Sequence, residues 1–124
     1  MSKNNIVLHK SKDFAVRIVK LRKYLRYEQK EFDISAQIVR SGTSIGANIR
    51  EATIGFSNAD FIFKMNIALK EAYETEYWLD ILHETGYLTD DEFKSIYYDC
   101  RELSRLLTAI VKTSKNKKTN NCTL

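Results

Sequence analysis

The stretch ISAQIVRSGTSIGANIREATI, residues 34–54, decides the fold. Ile34, Ile38, Ser41, Ile45, Ile49 and Ala52 recur at three- and four-residue steps, so they share one face of a helix. Gly42 and Gly46 interrupt that pattern, and each costs a helix interior about 1 kcal/mol relative to Ala. With Ser35 and Thr53 they form a seam of small residues beside the apolar face. Either residues 41–44 break the helix into two, or the helix continues and the seam lets a neighbouring backbone come close. The apolar period crosses the glycines in phase, which favours the continuous helix and predicts a tight helix–helix contact along the seam.

Three more helices follow on either side. Towards the N-terminus, Phe14, Ile18, Leu21 and Leu25 mark a helix over about 12–30, with Ser11 as its candidate cap. Asp33 is the candidate cap of the helix over 34–54. After the Gly55–Phe56 joint, Ser57 and Asp60 read as a capping-box variant opening a helix over about 58–85, which Gly86 closes. Thr89 to Glu92 is a full capping box for a last helix, about 90–113. Its apolar face includes Phe93, Ile96, Cys100, Leu103, Leu107 and Ile110. Residues 1–11 are expected to be flexible and 114–124 to form a disordered basic tail. Joints of a few residues place consecutive helices antiparallel. The expected architecture is therefore all-α, an antiparallel up-down-up-down four-helix bundle.

Composition agrees with this. A chain of 124 residues makes one domain, and its 0 prolines and 4 glycines suit long helices with few joints. No run reaches the roughly 20 apolar residues of a membrane span, and the N-terminus carries no signal-peptide pattern, so the expected compartment is the cytoplasm. Charge is unevenly spread. Residues 1–64 hold 12 Lys and Arg against 6 Asp and Glu, whereas 65–113 hold 5 against 10. A basic half and an acidic half suit self-assembly, an acidic protein partner or nucleic acid.

The third helix carries more apolar surface than one bundle needs. Phe61, Met65, Ala68, Ala72 and Leu79 make a core stripe, while Phe63, Ile67, Tyr77, Trp78 and Ile81 lie roughly opposite. That second group is either a homo-oligomer interface or the lining of an irregular internal packing. In the first helix, Lys12, Lys20, Lys23, Arg26 and Lys30 interleave with Val16, Val19 and Tyr27. Such a face can hold a phosphate backbone and stack on bases, can meet an acidic helix of another subunit, or can simply be solvated.

Chemistry is harder to find. A di-iron carboxylate bundle needs Glu-x-x-His on two helices, and His83 stands isolated from any such pairing with Glu51, Glu71 or Glu74. Cys100 falls on an apolar face, where thiols are inert, and Cys122 lies in the polar tail. Gly42 to Gly46 lacks the Lys-Ser/Thr of a phosphate loop. No cofactor, metal, small-molecule substrate or catalytic residue is expected.

SIGANIREA, residues 44–52, is followed by Ser57, Asp60 and Phe61, and then by IALKEAYETEYWL, residues 67–79. In these blocks the chain resembles the four-helix-bundle family of 23S rRNA intervening-sequence proteins, over about 13–111. Ala52 stands where many relatives have Gly. The resemblance implies a bundle that assembles into rings, with pentamers the expected form, and no enzymatic activity. One branch serves as the accessory protein of diversity-generating retroelements, where a basic ring contacts a reverse transcriptase and nucleic acid. RNA or DNA is therefore an expected partner; the alternative is a protein-interaction scaffold with no nucleic-acid role. Asn48, Glu51, Glu71 and Glu74, with Arg40, Arg50, Lys64 and Lys70 as candidate partners, read as a structural polar network within or between subunits.

Overall fold

The computed structural model describes residues 2–122, without the side chains of residue 3 and of 118–122. Its helices are α1 (Lys3–Lys23), α2 (Asp33–Thr53), α3 (Asn58–Glu84) and α4 (Asp90–Cys122). α1 packs on α2, α2 on α3, α3 on α4, and α4 closes back on α1. Residue pairings give the direction of every helix. Ile18 faces Gly42 and Ser11 faces Gly46; Arg40 reaches Glu71 and Glu74 while Glu51 reaches Lys64. Glu76 meets Arg101 and Ser104 while His83 meets Asp90; Lys10 meets Glu102 while Arg17 meets Asp99. In each pair rising numbers meet falling ones, so neighbours are antiparallel and the bundle runs up-down-up-down.

α2 is continuous through both glycines. A Cβ on Gly42 would stand 2.8 Å from Ile18 Cγ2, and one on Gly46 would stand 3.2 Å from Ser11 Oγ. The small-residue seam is therefore the bed of α1. Ile18, Leu25, Ile38, Ile45, Ile49, Met65, Leu79, Leu103 and Leu107 fill the core, each at most 1% exposed.

Several expectations at the helix ends are corrected. α1 begins at Lys3, not at 12, because Ser2 accepts from Asn5 N at 3.2 Å and Val7 is fully buried against the other helices. The expected flexible segment 1–11 is thus mostly helix; residue 1 lies outside the described residues. Ser11 caps nothing. It is buried in mid-helix, its hydroxyl donating to Leu8 O at 2.9 Å, because only a small side chain fits under Gly46. Asp33 makes no cap either. The carboxylate of Glu31 accepts from the amides of Asp33, Ile34 and Ser35 at 3.2, 3.0 and 2.7 Å, and Ser35 Oγ returns a bond to Glu31 O.

α1 ends in a π-helical turn, Tyr24–Glu28. Gln29 N donates to Tyr24 O and Glu31 N to Leu25 O, with Lys30 in the left-handed region at φ 56°. The wider turn swings the chain out so that Glu31 lands over the start of α2. The other joints follow the expected chemistry: Ser57 Oγ accepts from Asp60 N, Gly86 has φ 86°, and Thr89 and Glu92 bond reciprocally. α4 runs on to Cys122, past the expected end at 113. Residues 123 and 124 of the expected tail, and the side chain of Cys122, lie outside what is described.

Candidate assembly and nucleic-acid surfaces

α1 and α3 occupy opposite corners of the bundle, since each packs on α2 and α4. Their outward faces therefore look in opposite directions. On α3, Phe63 is 63% exposed and Tyr77 58%, with Tyr73 beside them at 49%. Ile67, Trp78 and Ile81 are half-buried. Trp78 packs against the core, Tyr77 meets it edge-on at 5.2 Å, and its indole N–H is buried without a hydrogen-bond partner. The five candidate interface residues thus split: Phe63 and Tyr77 are uncovered, while Trp78 is partly internal.

On α1 the basic residues also split. Lys10 binds Glu102 at 3.1 Å. Arg17 binds Asp99 at 2.7 Å and also Ser95, on its hydroxyl and its carbonyl. These two clamp α1 to α4. Among the described residues Lys12, Lys20, Lys23, Arg26 and Lys30 form no ion pair with a carboxylate. Lys12, Lys20 and Lys23 are exposed along α1. Arg26 lies over the Phe32 ring, 5.5 Å from its centroid, and Lys30 donates to Tyr27 O. Around the π-helical turn Tyr27 is 65% exposed and Phe32 50%, so cations and open aromatic rings share one end of the bundle.

The polar residues of the second helix do not form one network. Asn48 donates to Ser44 O within α2 at 2.8 Å. Glu51 pairs with Lys64 at 3.3 Å. Arg40 bridges Glu71, at 3.3 Å, and Glu74. Arg50 and Lys70 join neither pair. The two ion-pair groups pin α2 to α3 at separate heights, on the surface.

The buried polar contacts lie elsewhere. Glu76, 7% exposed, accepts from Arg101 at 3.1 Å and from Ser104 Oγ at 2.5 Å. Its carboxylate raises the Arg101 pKa above the ordinary value. Thr75 Oγ1 donates to Ser41 Oγ at 2.9 Å in the core. Both were legible in principle: Glu76 stands four residues after Ala72 and three before Leu79, which is a core-facing place. Cys100 is buried and its thiol donates to Ala72 O; burial, with Glu76 nearby, pushes its pKa well above the ordinary range. His83 stacks on Phe93 at 4.3 Å and meets Asp90 at 2.7 Å. Among the described residues no group of three or more His, Cys, Asp or Glu is placed to hold a metal, and no helix is long and apolar enough to cross a membrane.

A family model described as 23S rRNA-intervening sequence protein matches residues 3–109. The match takes in the first two turns of α1. The crystal structure of a protein with unknown function from the S23 ribosomal protein family of Bacteroides thetaiotaomicron has the same fold. It is 59% identical, with a TM-score of 0.88, over 90% of this chain and 99% of that one. No curated protein matches.

Proposed function

The chain belongs to the 23S rRNA-intervening sequence protein family, and from that membership we propose a cytoplasmic, non-catalytic bundle that assembles with copies of itself and binds nucleic acid. The carrying observation is the uncovered face of α3. Phe63, Tyr73 and Tyr77 each leave about half or more of their surface in water, where an isolated bundle gains nothing from them. Ring closure, with five subunits as the resemblance implies, makes such a face an interface. The absence of chemistry rests on the inert Cys100 thiol and on His83, whose imidazole is occupied by Phe93 and Asp90.

Nucleic-acid binding is supported by the basic, aromatic end of the bundle. Lys23, Arg26 and Lys30 have no carboxylate partner, and Tyr27 and Phe32 offer open rings for unpaired bases. The test is fluorescence anisotropy with a labelled single-stranded RNA at low and high salt, for the wild type and Lys23→Glu/Arg26→Glu/Lys30→Glu. The triple variant is expected to weaken binding about tenfold or more and to flatten the salt dependence. Binding that ignores both the reversals and the salt would leave a protein-interaction scaffold as the reading.

A further inference from the structure

We propose that the groove between α1 and α2 binds a small amphiphilic anion, an acyl chain with a carboxylate head. The site stands apart from the nucleic-acid reading, which uses Lys23, Arg26 and Lys30 at and beyond the far end of α1. The groove encloses about 410 Å³, within the ~300–1,000 Å³ of small-molecule sites. Leu8 and Ala15 of α1 and Thr43, Gly46 and Ala47 of α2 make its floor. α1 lies close on Gly46, and side chains this short leave the outer edge of that contact as an open trough.

The floor selects an apolar body. Its hydroxyl protons are already spent, since Ser11 Oγ donates to Leu8 O at 2.9 Å and Thr43 Oγ1 to Val39 O at 2.6 Å. Both helices are continuous there, so their amides and carbonyls are bonded within each helix and offer an extended peptide no edge to pair with. What lies in the trough must bury carbon and need no hydrogen bonds.

The rim selects an anion. His9, Lys12 and Arg50 stand around it, exposed, from both helices. Among the described residues none of the three makes an ion pair, and no Asp or Glu lines the groove. The neighbouring groove between α1 and α4 is the contrast. There Lys10 and Arg17 are answered by Glu102 and Asp99. A carboxylate over the α1–α2 groove meets uncompensated positive charge, and the Arg50 guanidinium can take both its oxygens. A bare anion would leave the floor wet, and a neutral chain would leave the cations unanswered.

The test is a titration of the full chain with octanoate, followed by amide NMR shifts, with octanol and inorganic phosphate as the two half-ligands. Octanoate is expected to saturate at about 1 mM or tighter, with the shifts centred on Ala15, Thr43 and Ala47. Octanol and phosphate are each expected to bind at least about tenfold more weakly. Ala47→Leu fills the trough from an exposed position with a good helix former, and is expected to abolish the shifts. Lys12→Gln/Arg50→Gln is expected to weaken octanoate about tenfold and to leave octanol unchanged, and added salt acts in the same direction. Octanoate shifts that are absent, centred elsewhere or retained in a folded Ala47→Leu protein overturn the site. Phosphate that binds as tightly as octanoate overturns the apolar body, and octanol that does so overturns the anionic head. Should Ala47→Leu lose helicity by circular dichroism, the charge variant decides alone: an octanoate affinity equal to that of the wild type overturns the proposal.

Discussion

Gly42 and Gly46 look alike in sequence and differ in what they face. A methyl on Gly42 would strike the branched Cβ region of Ile18, held fast in the core, at 2.8 Å. The gain of about 1 kcal/mol in helix propensity is outweighed by overpacking of about 1–3 kcal/mol. Gly42→Ala is therefore expected to lower the unfolding free energy in urea. Gly46→Ala meets the Ser11 hydroxyl at 3.2 Å and the Ser11 backbone and Cβ at an ordinary 3.5 Å, so the small shift it asks of Ser11 offsets the gain in helix propensity and the unfolding free energy is expected to change by less than about 0.5 kcal/mol. A stabilised Gly42→Ala protein would mean that the seam is looser than described. His83 acts at the same scale. Its hydrogen bond, and then its charge, hold the Asp90 carboxyl below the ordinary 3.8. A carboxylate whose pKa falls on folding adds stability that is present above the unfolded value and lost as pH drops through the folded one. His83→Ala is expected to bring Asp90 back towards 3.8 in an NMR pH titration. An unmoved Asp90 would assign the shift to the helix start alone.

At the scale of elements, the start of α2 depends on one side chain. Glu31 satisfies three amides that the helix leaves open, and α1's π-helical turn puts it there. Glu31→Ala is expected to cost about 1–2 kcal/mol and to speed hydrogen exchange in the first turn of α2. Asp33→Ala removes only a charge near the helix dipole, and should cost about 0.5 kcal/mol. Equal costs would restore Asp33 as the cap. The sequence reading placed α2 and α3, together with the capping residues Ser57 and Gly86 of α3 and Thr89 and Glu92 of α4, because each rests on local spacing and short-range bonds along the chain. It misplaced the start of α1 because residues 2–11 form a helix only when Val7 has a core to enter. It missed the Glu31 cap because a five-residue turn, not a sequence motif, brings that carboxylate back.

For the whole molecule, the proposed self-assembly makes stability depend on concentration. A native state that is assembled gains by mass action, so the melting temperature is expected to rise as protein is added. A melting temperature independent of concentration, in a protein whose scattering mass is that of one chain, would count against any assembly.

Helix periodicity, short joints and capping chemistry are local, and local spacing alone determined an all-α chain of four antiparallel helices with Gly42 and Gly46 on a contact seam. The division of each helix surface between core and solvent is not local, because it depends on which neighbours stand on either side. Only the tertiary structure decided that Trp78 is partly inside while Phe63 and Tyr77 stay open. It alone tied Arg17 and Lys10 to α4 and left Lys12, Lys20, Lys23, Arg26 and Lys30 without carboxylates. The same neighbours divided the expected polar network into two surface ion-pair groups and buried a carboxylate outside that network, Glu76. A charge finds its partner across helices, and that distance is set by packing, which the order of residues along one helix does not contain.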